Sequence, residues 1–149
     1  MAEWLEVDGL GGFSMGCDDL VPRRRYHSLL IASLRPPLER FSLLHGVEAY
    51  LHLSDYRNFP LSSFGFHPDV VHPKGREYIK SFTTLPWPTW RFEFTPEISA
   101  TFEIVRVHDA GHLVLRWQVQ SPPGLEATLS VRPLFSGRDY HAVHRERPG

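Results

Sequence analysis

The feature that most constrains this chain is a period-two alternation in its second half. In Thr89-Trp90-Arg91-Phe92-Glu93-Phe94 the rings of Trp90, Phe92 and Phe94 fall on one face of an extended chain, and Arg91 and Glu93 fall on the other. A helix would scatter these residues around its circumference, whereas a half-buried strand needs this pattern. The alternation recurs in Ile98-Ser99-Ala100-Thr101-Phe102-Glu103-Ile104, in 112–120 through Leu113, Leu115, Trp117 and Val119, and in 127–132 through Ala127, Leu129 and Val131. Thr95-Pro96, Asp109-Ala110-Gly111 and Ser121-Pro122-Pro123-Gly124 separate these segments at the short spacing of antiparallel neighbours, which predicts a meander.

The first half is also strand-rich. Residues 26–34 and 41–53 read as long strands on either side of Arg35-Pro36-Pro37, with Gly46 marking either a bulge or a break between two strands. Residues 58–75, with four prolines and glycines among three aromatic rings before Gly75, read as a long ordered loop of the kind that carries binding functions on a β scaffold. With 149 residues the chain can build its own core, and 13 prolines with 13% aromatic residues suit strands joined by fixed turns. The expected fold is all-β: an antiparallel two-sheet β-sandwich, supersandwich-like and with little helix, in a single domain over 1–149.

Charge and cysteine content narrow the function classes. A formal net charge of −1 offers no general field for nucleic acid or an acidic membrane surface, and no apolar run reaches the length of a membrane span. One cysteine, Cys17, leaves no internal disulfide, and Met1-Ala2-Glu3-Trp4 lacks a basic and apolar leader pattern, so a reducing, cytoplasmic setting is expected.

Three motifs carry candidate chemistry. The first is Asp8-Gly9-Leu10-Gly11-Gly12-Phe13-Ser14-Met15-Gly16. It does not fit a dinucleotide loop, because Ser14 stands where the third glycine should be, and Pro22 interrupts any helix after Cys17. Gly12-Phe13-Ser14-Met15-Gly16 matches the letters of a nucleophile elbow without its strand–helix context. The glycines therefore serve either a turn between two edge strands or a close approach of backbone to a ligand or partner. The second motif is Arg23-Arg24-Arg25-Tyr26-His27, where alternation into the following strand would place Arg25 and His27 on one face and Arg24 and Tyr26 on the other. Cations this near a sheet need carboxylate or hydroxyl partners. The third, Arg138-Asp139-Tyr140-His141, is either a sugar-binding polar cluster or a structural ion-pair corner. The histidines at 67, 72, 108, 112, 141 and 144 make no convincing metal set: His108 and His112 flank a turn rather than share a helix face, and no cysteine pair supports them. Neither a metal nor a cofactor is expected.

Taken in order, these motifs resemble the N-terminal domain of the prokaryotic type of glycogen debranching enzyme, the amylo-α-1,6-glucosidases. The matching stretches are Glu3-Trp4-Leu5, Asp8 to Phe13, Arg24-Arg25-Tyr26-His27 with Leu29-Leu30, Pro36-Pro37 with Arg40, His72-Pro73-Lys74-Gly75 with Tyr78 and Phe82, and Arg132-Pro133-Leu134 leading to Arg138-Asp139-Tyr140-His141. The resemblance implies a β-sandwich that precedes a helical (α/α) toroid, the catalytic domain that hydrolyses the α-1,6 branch linkage. The chain ends at Gly149, where the family would continue into that toroid.

Glycoside hydrolysis normally needs two carboxylates placed across the scissile bond. The resemblance places them in the toroid, so no catalytic residue is assigned here and the chain alone is expected to be inactive. The implied role is an accessory domain that docks on the catalytic domain and contacts α-glucan. Asp8, Gly11, Gly12, Arg24, Arg25, Tyr26, His27, Arg138, Asp139, Tyr140 and His141 are candidates for the facing surface. Trp87, Phe64 and Phe66 are candidates for stacking on sugar rings. The alternatives are a stand-alone α-glucan-binding module and a self-associating domain that forms a homodimer.

Overall fold

In the computed structural model, which describes residues 2–66 and 68–139, the glycine-rich stretch is a turn inside an antiparallel hairpin. Its strands are β1 (Glu3–Val7) and β2 (Phe13–Cys17). There follow β3 (Ser28–Arg35), β4 (Leu38–Leu53), β5 (Asn58–Pro60), β6 (Phe64–Phe66), β7 (Val70–His72) and a single 3-10 turn (Gly75–Tyr78). The second half supplies β8 (Ile79–Thr83), β9 (Thr89–Thr95), β10 (Ile98–Arg106), β11 (Leu113–Gln120) and β12 (Ala127–Asp139). The chain is all-β, as its alternation requires.

Two sheets face each other. One has the order β1-β2-β3-β4-β12, with β5 also paired to β4, and the other has the order β11-β10-β9-β8. The meander is real for β8 to β11 but does not continue into β12, which crosses over and pairs antiparallel with β4. Alternation specifies a strand without naming its neighbour, so the crossover through 121–126 was not readable from the pattern. Residues 38–53 form one continuous strand, and the register shifts opposite Leu134 and Phe135, so Gly46 marks an irregularity and not a break. The segment 58–75 is not a plain loop. It contains β5 and the small β6–β7 hairpin.

The core lies between the two sheets. Ala49, Leu51 and Leu53 from β4 meet Trp90 and Phe92 from β9 and Ile98, Ala100, Phe102 and Ile104 from β10. Trp4 of β1 contributes edge-on against Trp90, with ring centroids 5.7 Å apart, and Phe102 stacks on both Trp90 and Trp117. Trp90 is fully buried, and its indole N–H donates to the Asp18 carbonyl at 2.6 Å, so its one polar atom is satisfied. Truncating it opens a large cavity at the contact between sheets. Trp90→Ala should lower the unfolding free energy by about 3–5 kcal/mol, read from the shift of the urea midpoint at unchanged m-value.

Candidate functional site

The site begins with a buried ion pair. Asp8 directly follows β1 and is 2% exposed; the side chain of Arg106, at the end of β10 in the opposite sheet, is 0% exposed. Arg106 Nη2 donates to Asp8 Oδ2 at 2.6 Å, while Nη1 donates to the Phe13 carbonyl at 3.0 Å, to Ser14 Oγ at 3.2 Å and to the Ile31 carbonyl at 3.4 Å. The other carboxylate oxygen, Asp8 Oδ1, accepts the N–H groups of Leu10 and Gly12 at 2.8 and 3.0 Å. One carboxylate thus holds the glycine turn from within and binds it to the second sheet. Gly12 has no room for a side chain: a Cβ there would clash with Asp8 Oδ2 and sit 2.7 Å from the Ile31 carbonyl.

A second support lies under residues 18–27. The 23–27 segment is a turn and not the start of a strand, closed by the His27 N–H donating to the Arg24 carbonyl at 2.9 Å. The expected alternation therefore does not apply: His27 is buried, Tyr26 is half-buried, and Arg24 and Arg25 are exposed. Arg24 pairs with Glu3 at 2.8 Å and Arg23 with Asp19 at 2.5 Å, so the predicted need for carboxylate partners is met. Burial works against the Asp19 charge, yet hydrogen bonds from Arg23 hold its carboxyl below the ordinary value. Glu3, Cys17 and His27 bring three ligand-type atoms within 4.8 Å of one another. They do not suit a cation. His27 Nδ1 already accepts the N–H groups of Arg23 and Arg24, Glu3 is paired with Arg24, and burial pushes the Cys17 thiol up, away from the thiolate form a metal needs.

Above these supports lies an open groove. Leu5 and Val7 alternate with the core residue Trp4 along β1, so they point away from the second sheet, and each is 56% exposed. Cross-strand pairing sets Met15 beside Leu5 and Phe13 beside Val7. These four side chains floor a cleft of about 540 Å³, walled by Gly9, Gly11 and Gly12 and rimmed by Tyr26 and Arg40. Arg40 Nε donates to the Gly11 carbonyl at 2.6 Å, and the Arg25 guanidinium lies 4.9 Å from the Tyr26 ring centroid. Gly11 adopts φ +93°, and a Cβ there would sit 2.9 Å from the Pro37 carbonyl, so the wall is bare backbone by necessity. An apolar floor with a phenol and guanidinium rim matches the anatomy of a protein-binding patch.

Of the residues expected at a functional surface, the structure gathers Gly11, Gly12 and Tyr26 at this groove and places Asp8 and His27 beneath it as buried supports. Phe13, Ile31, Ser42 and Arg138 are successive partners in one row across the sheet, so the end of β12 lies three strands from the groove. That separation is about 14 Å. Asp139 follows in register with Phe41, while Tyr140 and His141 lie outside the described residues. The proposed stacking rings are elsewhere. Trp87 is half-buried, with its indole N–H donating to Glu103 at 3.1 Å, Phe64 lines a small interior cavity of about 50 Å³, and Phe66 is exposed on the β6–β7 hairpin.

Sequence reasoning missed Leu5, Val7, Phe13, Met15 and Arg106. The signal was present: Trp4-Leu5-Glu6-Val7 and Phe13-Ser14-Met15 place large apolar residues on the face opposite Trp4, and Arg106 continues the core-facing series Ile98, Ala100, Phe102, Ile104.

Removing one member of the buried pair leaves the other uncompensated. Asp8→Ala should cost about 3–5 kcal/mol of stability, and adding Arg106→Met in the same chain should restore part of the loss, read as a double-mutant cycle by urea denaturation.

The comparisons with known proteins follow this geometry. The family model described as "Glycogen debranching enzyme N terminal" matches residues 2–149, the whole length of the strands, the glycine turn and the groove. No curated protein and no solved structure matches the chain. The chain belongs to the glycogen debranching enzyme N-terminal family.

Proposed function

We propose that this domain is the accessory N-terminal part of a glycogen debranching enzyme, and that its groove docks against the catalytic (α/α) domain of that enzyme. Hydrolysis of the α-1,6 branch linkage belongs in this reading to the catalytic domain. The observation that carries it is the floor of the groove. Leu5 and Val7 are more than half exposed side by side on a sheet face, with Phe13 and Met15 next to them. A contiguous apolar patch of this kind, rimmed by polar groups, marks a surface that another molecule covers. Tyr26 and Arg40 supply the polar edge of such a surface. The setting proposed for this role is cytoplasmic; among the described residues no helix is long and apolar enough to cross a membrane.

A second reading, direct α-glucan contact, has its own support on the outer face of the other sheet. Ser81, Arg91, Thr101 and Gln118 are successive cross-strand partners, one from each of β8, β9, β10 and β11. Thr89, Glu103 and Arg116 form the neighbouring row, with Trp87 bonded to Glu103. A flat array of hydroxyl, amide and guanidinium groups beside an indole can hydrogen-bond a polyhydroxyl chain.

The docking reading is tested by supplying the catalytic domain of a glycogen debranching enzyme as a separate polypeptide and measuring association by calorimetry. Leu5→Asp with Val7→Asp should weaken association at least about tenfold, since two apolar contacts at the centre of a patch carry over about 1.4 kcal/mol. Unchanged association would overturn it, and a dimer of the chain by light scattering, lost in the same variant, would assign the groove to a second copy instead. For the glucan reading, maltoheptaose titrated into the chain should give heat that Gln118→Ala with Thr101→Val abolishes; no heat at millimolar sugar sinks it.

A further inference from the structure

His27 is a buried titratable group, 1% exposed, and its tautomer is fixed by its surroundings. Nδ1 accepts the backbone N–H of Arg23 at 2.8 Å and that of Arg24 at 3.1 Å. A ring nitrogen that accepts two N–H groups carries no proton, so the proton sits on Nε2, which donates to Glu3 at 3.3 Å. The ring thereby ties the 23–27 turn, which presents Tyr26 to the groove, onto β1. The groups that face it come from several elements. Glu3 lies on β1, and Cys17 on β2 has its sulfur 4.0 Å from Nδ1. Arg23 and Arg24 belong to the turn itself, with Arg23 engaged by Asp19, which Arg76 of the 3-10 turn reaches at 3.8 Å. His45 of β4 lines the same small cavity as His27.

We propose that His27 is a proton-operated latch on the groove: neutral, it holds the 23–27 turn and Tyr26 in place, and protonated, it lets the turn go. The proposal rests on the groove being the docking face only for its consequence, since the latch itself is local. A proton on Nδ1 would point at two N–H donors, ending both hydrogen bonds at once and leaving both backbone groups without an acceptor. It would also put a cation in a buried site beside two arginines. Glu3 alone favours the charged ring, and Glu3 is already shared with Arg24. Burial accordingly lowers the His27 pKa from its usual value, with Glu3 opposing and Arg24 and Arg23 reinforcing the shift. For a base whose folded pKa is depressed, the stabilisation is complete above the unfolded value, about 6.5, and is lost as pH falls toward the folded value. The latch is therefore closed at neutral pH and opens on acidification, and binding at the groove weakens with it.

The test is a nuclear magnetic resonance titration of the chain from about pH 7.5 to about pH 5, the range in which a histidine changes charge. The His27 Cε1 proton should titrate with a midpoint below that of an unfolded histidine. The Arg23, Arg24 and Tyr26 amides should move with the same midpoint, and the core amides of Phe92 and Ile104 should not. In His27→Asn the amide oxygen can replace Nδ1 as acceptor without a proton to gain, so the turn amides should lose this titration and keep their neutral-pH positions. A His27 midpoint at or above the ordinary value overturns the proposal. So do turn amides that ignore His27, core amides that follow it as in global unfolding, or a folded His27→Asn variant with the same pH dependence. If that variant does not fold, the wild-type titration decides alone. No step needs the catalytic domain, so failure here leaves the docking reading standing, and failed docking leaves the latch to its own titration.

Discussion

The Asp8–Arg106 pair is the interaction on which the rest of the site depends. A guanidinium with its side chain fully out of water is tolerable only if its charge is matched and most of its donors are used; here Nη1 and Nη2 are bonded, while Nε has no partner among the described residues. Nη2 finds the carboxylate, and Nη1 finds the Phe13 and Ile31 carbonyls beside the register shift between β2 and β3. The same carboxylate takes the N–H groups of Leu10 and Gly12. One contact therefore joins the two sheets, shapes the glycine turn and sets the height of the groove wall.

The β1–β2 hairpin has apolar groups on both faces as a result. Its inner side, through Trp4, belongs to the core, and its outer side, through Leu5, Val7, Phe13 and Met15, belongs to the groove. Of residues 18–27, Tyr26 reaches the outer side and lines the groove, while Leu20 packs against the core. The Trp90 indole, the Arg23–Asp19 pair and the His27 hydrogen bonds hold that segment down. Core packing and the groove rim are thus mechanically continuous, since Trp90 touches both the sheet interface and the segment that carries Tyr26.

The strands of the second half were legible because Trp90, Phe92, Ala100, Phe102, Leu115 and Trp117 alternate without interruption. The 23–27 stretch was misread for the opposite reason. Its residues obey no period, and the turn forms because His27 finds two backbone donors within its own segment and Glu3 across the fold. Of the two open readings of Asp8-Gly9-Leu10-Gly11-Gly12, the structure shows the turn between strands; its bare backbone also walls a cleft, whose occupant is the subject of the docking proposal. Arg106 was within reach of the same logic, as the next core-facing position after Ile104, but an alternating pattern read for apolar residues stops when a charge appears.

By itself the sequence determined that this chain is an all-β sandwich and which family it belongs to, because alternation and the ordered motifs are local properties of the chain. Tertiary structure alone decided that β12 leaves the meander for β4, that Asp8 and Arg106 meet 98 residues apart, and that Leu5 and Val7 are left facing water over a glycine wall. Period two assigns residues to opposite faces of a strand. Which face the second sheet covers, and which buried charge finds its counterion there, is settled only when the two sheets pack.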